Sequence, residues 1–158
     1  KSVIVQEKVM KLSSSLLILP ALCSGLAVSA KPALSGSGTV VYSAVSSEGV
    51  SQYWTRADAS PPKYPVVMAK NGWVGCGVFK VSIDAEGKTG DVNVLSAIPG
   101  NHQIRPAVKE IKSWRWTAAD GQTAQPAEQL VRLDFCMAKA APEQVQAACE
   151  VQAQYPCQ

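Results

Sequence analysis

Apolar and polar residues alternate clearly in two consecutive stretches near the middle of the chain. In residues 76–83 and again in residues 88–96, apolar side chains recur at every second position, which predicts two β-strands that each bury one face. Between them, residues 84–87 have the sequence Asp-Ala-Glu-Gly, which is typical of a tight reversal. The two stretches therefore predict a β-hairpin. The apolar positions that carry this prediction are Phe79, Val81, Ile83, Val92 and Val94.

The pattern changes on both sides of this hairpin. Between residues 104 and 114, apolar side chains recur at helical spacing, which predicts an amphipathic helix that covers the sheet. Residues 130–137 alternate again and predict a third strand. Two further helices are expected, a short one over residues 65–70 that ends at an Asn-Gly pair, and one in the Ala- and Gln-rich tail over residues 142–154.

The first thirty residues have the pattern of an export signal. Met10 is a plausible start, an apolar stretch covers residues 16–28, and small residues precede a predicted cleavage after Ala30. The apolar stretch is shorter than the roughly 18 residues expected of a membrane-spanning helix, so membrane association is expected only if the signal stays uncleaved. Residues 31–60 are rich in Ser, Gly, Ala and Pro and predict an extended leader with one β-prone run at residues 39–42.

The charge of the chain argues against two classes of partner. The chain carries 15 Lys and Arg against 12 Asp and Glu, and three of those cations but one of those acids lie in the first 30 residues. What remains after cleavage is close to neutral, with its cations scattered, so neither nucleic acid nor a membrane surface is an expected partner. Its length is ordinary for one domain.

Four cysteines follow the export signal, and an even number in an exported small domain indicates disulfides. Four cysteines allow three pairings. We expect Cys76 to bond Cys136 across neighbouring antiparallel strands, and Cys149 to bond Cys157 within the tail. The cysteines are widely spread and His102 is the only histidine, so no metal site and no cofactor are predicted.

The sequence does not indicate a catalytic site. His102 stands in a Pro-Gly loop without a nucleophile motif or an acidic partner beside it. The carboxylates Asp84 and Glu86 are explained by the predicted turn. Trp114 and Trp116 resemble a ligand-stacking pair, but at the end of an amphipathic helix they are more often part of the core. We therefore predict a binding protein and no catalytic residue.

Several short segments occur in an order and at a spacing that are typical of a known family. They are Tyr64-Pro65, Gly75, Asp84-Ala85-Glu86-Gly87, Val92-Asn93-Val94-Leu95-Ser96-Ala97 with Pro99, and a helix that closes on Trp114-Arg115-Trp116. Across residues 61–138 the chain resembles the C-terminal domain of TonB, the energy transducer of Gram-negative cell envelopes. The resemblance implies a periplasmic α+β domain in which a small antiparallel three-stranded sheet, stabilised here by disulfides, is packed by helices.

The resemblance also implies a partner. In the family, the last strand lies at a sheet edge, and that edge and the Tyr-Pro region meet an extended segment of an outer-membrane receptor, the TonB box. An unpaired strand offers backbone donors and acceptors to such a peptide, which then adds to the sheet. Residues 130–137 are the corresponding edge here. The partner-binding residues so implied are Lys63, Tyr64, Leu130, Arg132, Asp134 and Cys136.

An alternative remains open at this point. The related TolA type has a similar fold, and an envelope structural or adaptor domain without a transport role is compatible with the same residues. An open edge would also permit a homodimer by edge pairing. The predicted organisation is residues 1–30 for the signal and what precedes it, 31–60 for the leader, 61–141 for the domain, and 142–158 for a cysteine-containing helical tail.

Overall fold

The computed structural model describes residues 36–45 and 53–158. The predicted export signal and part of the predicted leader lie outside the described residues. The elements, in chain order, are β1 (Ser37–Val45), β2 (Trp54–Arg56), α1 (Val66–Lys70), β3 (Gly75–Ile83), β4 (Thr89–Ile98), α2 (Asn101–Lys112), β5 (Trp116–Ala118), β6 (Ala127–Ala138) and α3 (Pro142–Gln152). The fold is therefore α+β, as predicted, and none of these helices is long and apolar enough to cross a membrane.

The strands form a four-stranded antiparallel sheet in the order β1-β6-β3-β4, and β2 and β5 pair separately as a two-stranded ribbon. The predicted hairpin is confirmed as β3 and β4. At its turn, the Asp84 carboxylate accepts the backbone N–H groups of Glu86 at 3.1 Å and Lys88 at 2.8 Å. Gly87 has φ of 73°, a left-handed conformation that glycine adopts at little cost.

The prediction that residues 130–137 form an open edge is wrong. They lie in β6, which pairs with β3 on one side and with β1 on the other. The register with β1 runs without interruption from the pair Ser37 and Ala138 to the pair Val45 and Leu130. The sheet therefore has four strands instead of three, because the β-prone run at residues 39–42 pairs with β6.

One face of the sheet, called the inner face here, packs against α2 and holds the core. Ile104, Ala107 and Ile111 of α2 are completely buried against the sheet. Trp114 and Trp116 are 6% and 4% exposed, so the prediction that they are core residues is confirmed. The sheet residues that meet α1 and α2 in this core include Phe79, Val81, Ile83, Val131, Leu133 and Phe135.

On the opposite, outer face of the sheet, α3 covers β1 and β6, and two disulfides fasten this helix to the sheet. All four predicted cysteines are bonded, but the predicted pairing is wrong: Cys76 bonds Cys157, and Cys136 bonds Cys149. The reason is the strand register, since Cys76 lies opposite Asp134 and not opposite Cys136. Each strand cysteine therefore bonds a cysteine in or after α3.

Candidate functional site

Tyr64 connects the segment before α1 to the sheet. Its ring packs edge-on against Phe135 of β6, with the ring centroids 5.5 Å apart. Its hydroxyl donates to the carbonyl oxygen of Trp73 at 2.6 Å. Burial raises the pKa of Tyr64 to about 12, because the charged phenolate would lose hydration there. Tyr64 is thus a structural anchor, and its role toward a partner stays a prediction.

Lys63 is exposed and lines a cleft of about 360 Å³ between residues 56–63 and the end of α2. Across this cleft, the guanidinium of Arg56 lies 5.0 Å from the ring centroid of Trp114 and 5.4 Å from that of Tyr42. Such stacking holds a cation over aromatic faces. Arg56, which lines the cleft together with Lys63, therefore also contacts Tyr42 of β1.

Arg132 and Asp134 form an ion pair beneath α3. The guanidinium donates to both carboxylate oxygens, from Nε at 2.8 Å and from Nη2 at 2.9 Å. The Asp134 side chain is 0% exposed and that of Arg132 is 12% exposed. The implied contact residues Arg132 and Asp134 therefore do not lie on an open surface, because α3 covers the part of the sheet on which they lie.

The same ion pair holds the end of α3. Arg132 also donates to the backbone carbonyls of Tyr155 at 2.6 Å and Gln152 at 3.3 Å. A cation at a helix C-terminus satisfies carbonyl groups that have no partner within the helix. The Gln152 side chain in turn donates to the Gly75 carbonyl at 3.1 Å. The predicted contact residue Arg132 thus ties α3 to the sheet.

The two remaining predicted residues of β6 also have structural neighbours. Cys136 is bonded to Cys149, as described above. Leu130 is partly buried and lies between Val45 of β1 and Lys80 of β3 in the sheet register. Of the six predicted contact residues, only Lys63 is exposed, and a role for the others in binding stays a prediction.

The edge of β6 is a groove that β1 fills, and this is the feature that sequence reasoning missed. Val40 of β1 is 3% exposed and lies opposite Phe135. A Cβ atom at Gly38 would lie 3.3 Å from Met137 Cε and 3.3 Å from Tyr64 Cδ2, so this position favours a small residue. Tyr42 packs edge-on against Trp114, with ring centroids 5.8 Å apart. The β-prone run at residues 39–42 was the available signal for this strand.

Polar contacts of β1 are unevenly satisfied. Ser37 donates to the Ala140 carbonyl at 3.0 Å, and Thr39 donates to the Gln146 side chain at 2.5 Å. On the inner face, however, the buried atoms Tyr42 Oη and Gln129 Nε2 have no hydrogen bond of ordinary geometry among the described residues. Burial raises the pKa of Tyr42, and the Arg56 charge and a side-chain interaction with Gln129 oppose this rise.

The far side of β1 is the end of the sheet within the described part of the chain. It borders a groove of about 410 Å³ that is lined on one side by α3, including Glu143, Gln146 and Glu150. Residues 36–45 and 53–158 contain no group of three or more side chains suited to hold a metal ion. The arrangement is suited to pairing with extended backbone, at β6 or at β1.

Comparison with known proteins supports one family. Residues 60–137 match the family described as the Gram-negative bacterial TonB protein C-terminal. The solution NMR structure of the Pseudomonas aeruginosa TonB C-terminal domain is similar at 20% sequence identity, over 56% of this chain and 85% of that chain, with a TM-score of 0.35. None of the curated proteins matches this chain.

Proposed function

Through residues 60–137 the chain belongs to the TonB C-terminal family of Gram-negative bacteria, and from this premise we propose that it binds an extended segment of an outer-membrane receptor. Domains of this family are periplasmic protein-interaction modules. The segment would add to the sheet by backbone pairing, in a step of energy-coupled transport across the outer membrane. No catalytic step is part of this proposal.

The observation that carries the proposal is the edge of β6. It accepts nine consecutive residues of extended chain, Ser37–Val45, from a part of the sequence far from β6. Pairing of this kind depends on backbone donors and acceptors and leaves side chains to select the sequence. A surface that binds one extended segment in this way is chemically suited to bind another.

The neighbours of this edge support the same proposal. Tyr64 borders the groove at Gly38, and Arg56, which lines the cleft with Lys63, contacts Tyr42. The cleft carries Arg56, Lys63 and Arg115 beside Asp58 and Glu110, so charged residues that flank the bound segment of the partner would meet both signs of charge there. Lys63 and Tyr64 are therefore proposed to act at the border of the site.

Delivery to the periplasm would follow from the predicted signal. We propose cleavage after Ala30, and intact-mass measurement of periplasmic protein should show the loss of residues 1–30. A product that keeps residues 16–28 and partitions with membranes would contradict cleavage and would indicate an anchored protein.

The binding proposal is tested with synthetic peptides from the periplasm-facing N-terminal segments of outer-membrane receptors of the same cell. Fluorescence anisotropy of labelled peptides with the full chain should show saturable binding to at least one segment. A scrambled peptide of the same composition is the control. If no receptor peptide binds better than its scrambled form, the receptor proposal is wrong.

A further inference from the structure

The strand β1 lies in the groove that an incoming strand would use at β6. Resting on the proposed function, we propose that β1 is a resident strand which the partner replaces, so that β1 itself shows the sequence that the site accepts. The partner segment is then an extended peptide with a small residue, a β-branched residue and an aromatic residue at alternate positions. In β1 these positions are Gly38, Val40 and Tyr42.

Each of the three positions meets a different part of the groove. The first position, Gly38, is bounded by Tyr64 and Met137. A Cβ atom added at Gly38 would lie 3.3 Å from each of these side chains. The second position, Val40, is buried and lies opposite Phe135. β-branched residues fit well on such a buried strand surface. The third lies against the indole of Trp114. The selection therefore comes from side chains outside β1.

The structure lets β1 leave without dismantling the rest of the domain. Val40 is its only fully buried apolar residue among the described core, and most of that core comes from α2, β3 and β6. Neither disulfide includes a residue of β1.

A competing arrangement is addition of the partner to the far side of β1. That side is flanked by Glu143 and Glu150 of α3, and it would bind an extended peptide while β1 stays in place. The two arrangements respond oppositely to loss of β1 from the groove. Replacement becomes easier when β1 is unseated, because apparent affinity scales with the fraction of molecules whose site is vacant. Addition becomes weaker, because its template strand is lost.

The experiment uses the full chain with the substitution Val40→Asp, which puts an unpaired carboxylate at a position that is 3% exposed. The matched control is Ser43→Asp, which adds the same charge to the same strand on the opposite face, across from Arg132. The probe is a fluorescein-labelled synthetic peptide with the sequence of residues 36–45, followed by anisotropy. Circular dichroism checks that each variant is folded. Hydrogen exchange of the β6 amides checks whether the groove is vacant.

We expect the peptide to bind Val40→Asp about tenfold or more tightly than it binds the parent chain or Ser43→Asp, as vacancy of the site requires. Peptides with Gly38→Leu or Tyr42→Ala should bind the vacant groove about tenfold more weakly, and Ser43→Ala should change binding less than about twofold, as expected of buried against peripheral contacts. Equal binding to all three chains, or tighter binding to the parent, would overturn the proposal in favour of addition at β1.

A milder variant covers the possibility that Val40→Asp unfolds the domain. Gly38→Val crowds Tyr64 and Met137 without burying a charge, and it should also raise peptide affinity above that of Ser43→Asp. Folded Gly38→Val that binds no peptide would contradict replacement. Because the probe is the chain's own segment, this result is independent of any receptor. Binding of the 36–45 peptide together with failure of every receptor peptide would support the replaceable strand and contradict the receptor proposal.

Discussion

The two faces of the sheet differ in what holds their helices. On the inner face, α2 packs through fully buried apolar residues such as Ile104 and Ile111, with Phe79 and Leu133 on the sheet side. On the outer face, α3 is held by two disulfides and by the ion pair of Arg132 and Asp134. The inner face depends on area removed from water, whereas the outer face depends on a few specific bonds.

This difference assigns separate roles to the two faces. Apolar burial is non-directional, whereas a covalently fastened helix is fixed in register with the sheet. The strand β1 lies at the border of both, with Val40 on the inner face and Thr39 toward α3. The proposed exchange of β1 would therefore leave the core and the fastened helix in place.

The largest expected effect is loss of the long disulfide. Replacing Cys76 and Cys157 together by Ser should lower the free energy of unfolding by about 4.5 kcal/mol, because the bond closes a loop across 81 residues. The pair Cys136 and Cys149, separated by 13 residues, should cost about 3 kcal/mol when replaced in the same way. Urea unfolding of the two double variants at one pH measures both. Equal losses would contradict the loop-length argument.

The inner face is tested by Phe135→Ala. Phe135 is fully buried and contacts Tyr64, so its truncation should cost about 4 kcal/mol through lost burial and a cavity. The control is Leu95→Ala in β4, where the side chain is 55% exposed and the change should be within about 0.5 kcal/mol. Thermal unfolding of both variants provides the measurement, and similar values would argue that the core does not lie where the structure places it.

The ion pair on the outer face is tested by Asp134→Ala. It removes two charged hydrogen bonds from Arg132 and should cost about 2 kcal/mol, with faster hydrogen exchange in α3. The exposed pair of Lys80 and Glu128 provides the contrast, because Glu128→Ala breaks a contact whose side chains are 40% and 63% exposed and should cost less than about 0.5 kcal/mol. Unchanged exchange in α3 would show that the disulfides alone hold that helix.

The smallest expected effect comes from Tyr64→Phe. Loss of the hydrogen bond to the Trp73 carbonyl should cost about 1 kcal/mol at neutral pH. Since the folded-state pKa of about 12 exceeds the ordinary value of 10.0, the phenol is neutral in both states below pH 10, and stability falls as pH rises from 10 to 12. Unfolding measured across that window should fall less steeply in Tyr64→Phe than in the parent. Burial also raises the pKa of Tyr42, so Tyr42 should contribute to the slope that remains in Tyr64→Phe.

The elements with strong local patterns could be predicted from the sequence. Alternation through Phe79 and Val81 located β3, and the helical spacing of Ile104 and Ile111 located α2. Patterns of this kind indicate which face of an element is buried, so the inner face could be predicted from the sequence. The turn at Asp84 was equally local, since its carboxylate bonds the next few amides.

The position of β1 could not be predicted, because strand pairing depends on partners that are distant in sequence. Its small and polar residues, such as Ser37 and Ser43, weaken the alternation, and pairing with β6 over this separation leaves no local signature. The disulfide pairing failed for a related reason. Strand membership alone does not give register, and Cys76 lies level with Asp134, while α3 brings Cys149 and Cys157 to the same face.

The burial of Arg132 and Asp134 was not predicted either, because the sequence alone does not show where α3 packs. Two charged residues at alternate strand positions normally indicate a solvated face. They become a covered ion pair only because α3 packs over them. The Arg132 guanidinium then also donates hydrogen bonds to the backbone carbonyls of Gln152 and Tyr155. A prediction of this site from sequence would have required the correct disulfides first.

The most direct test of the account is amide chemical-shift mapping of the full chain during titration with a receptor peptide that binds. If the partner takes the place of β1, the largest shifts will fall in β1 and β6, the contact between Val40 and Phe135 will be lost, and α3 will remain in place. If instead the shifts concentrate along the outer edge of β4 near Leu95 while β1 stays paired with β6, the account is contradicted.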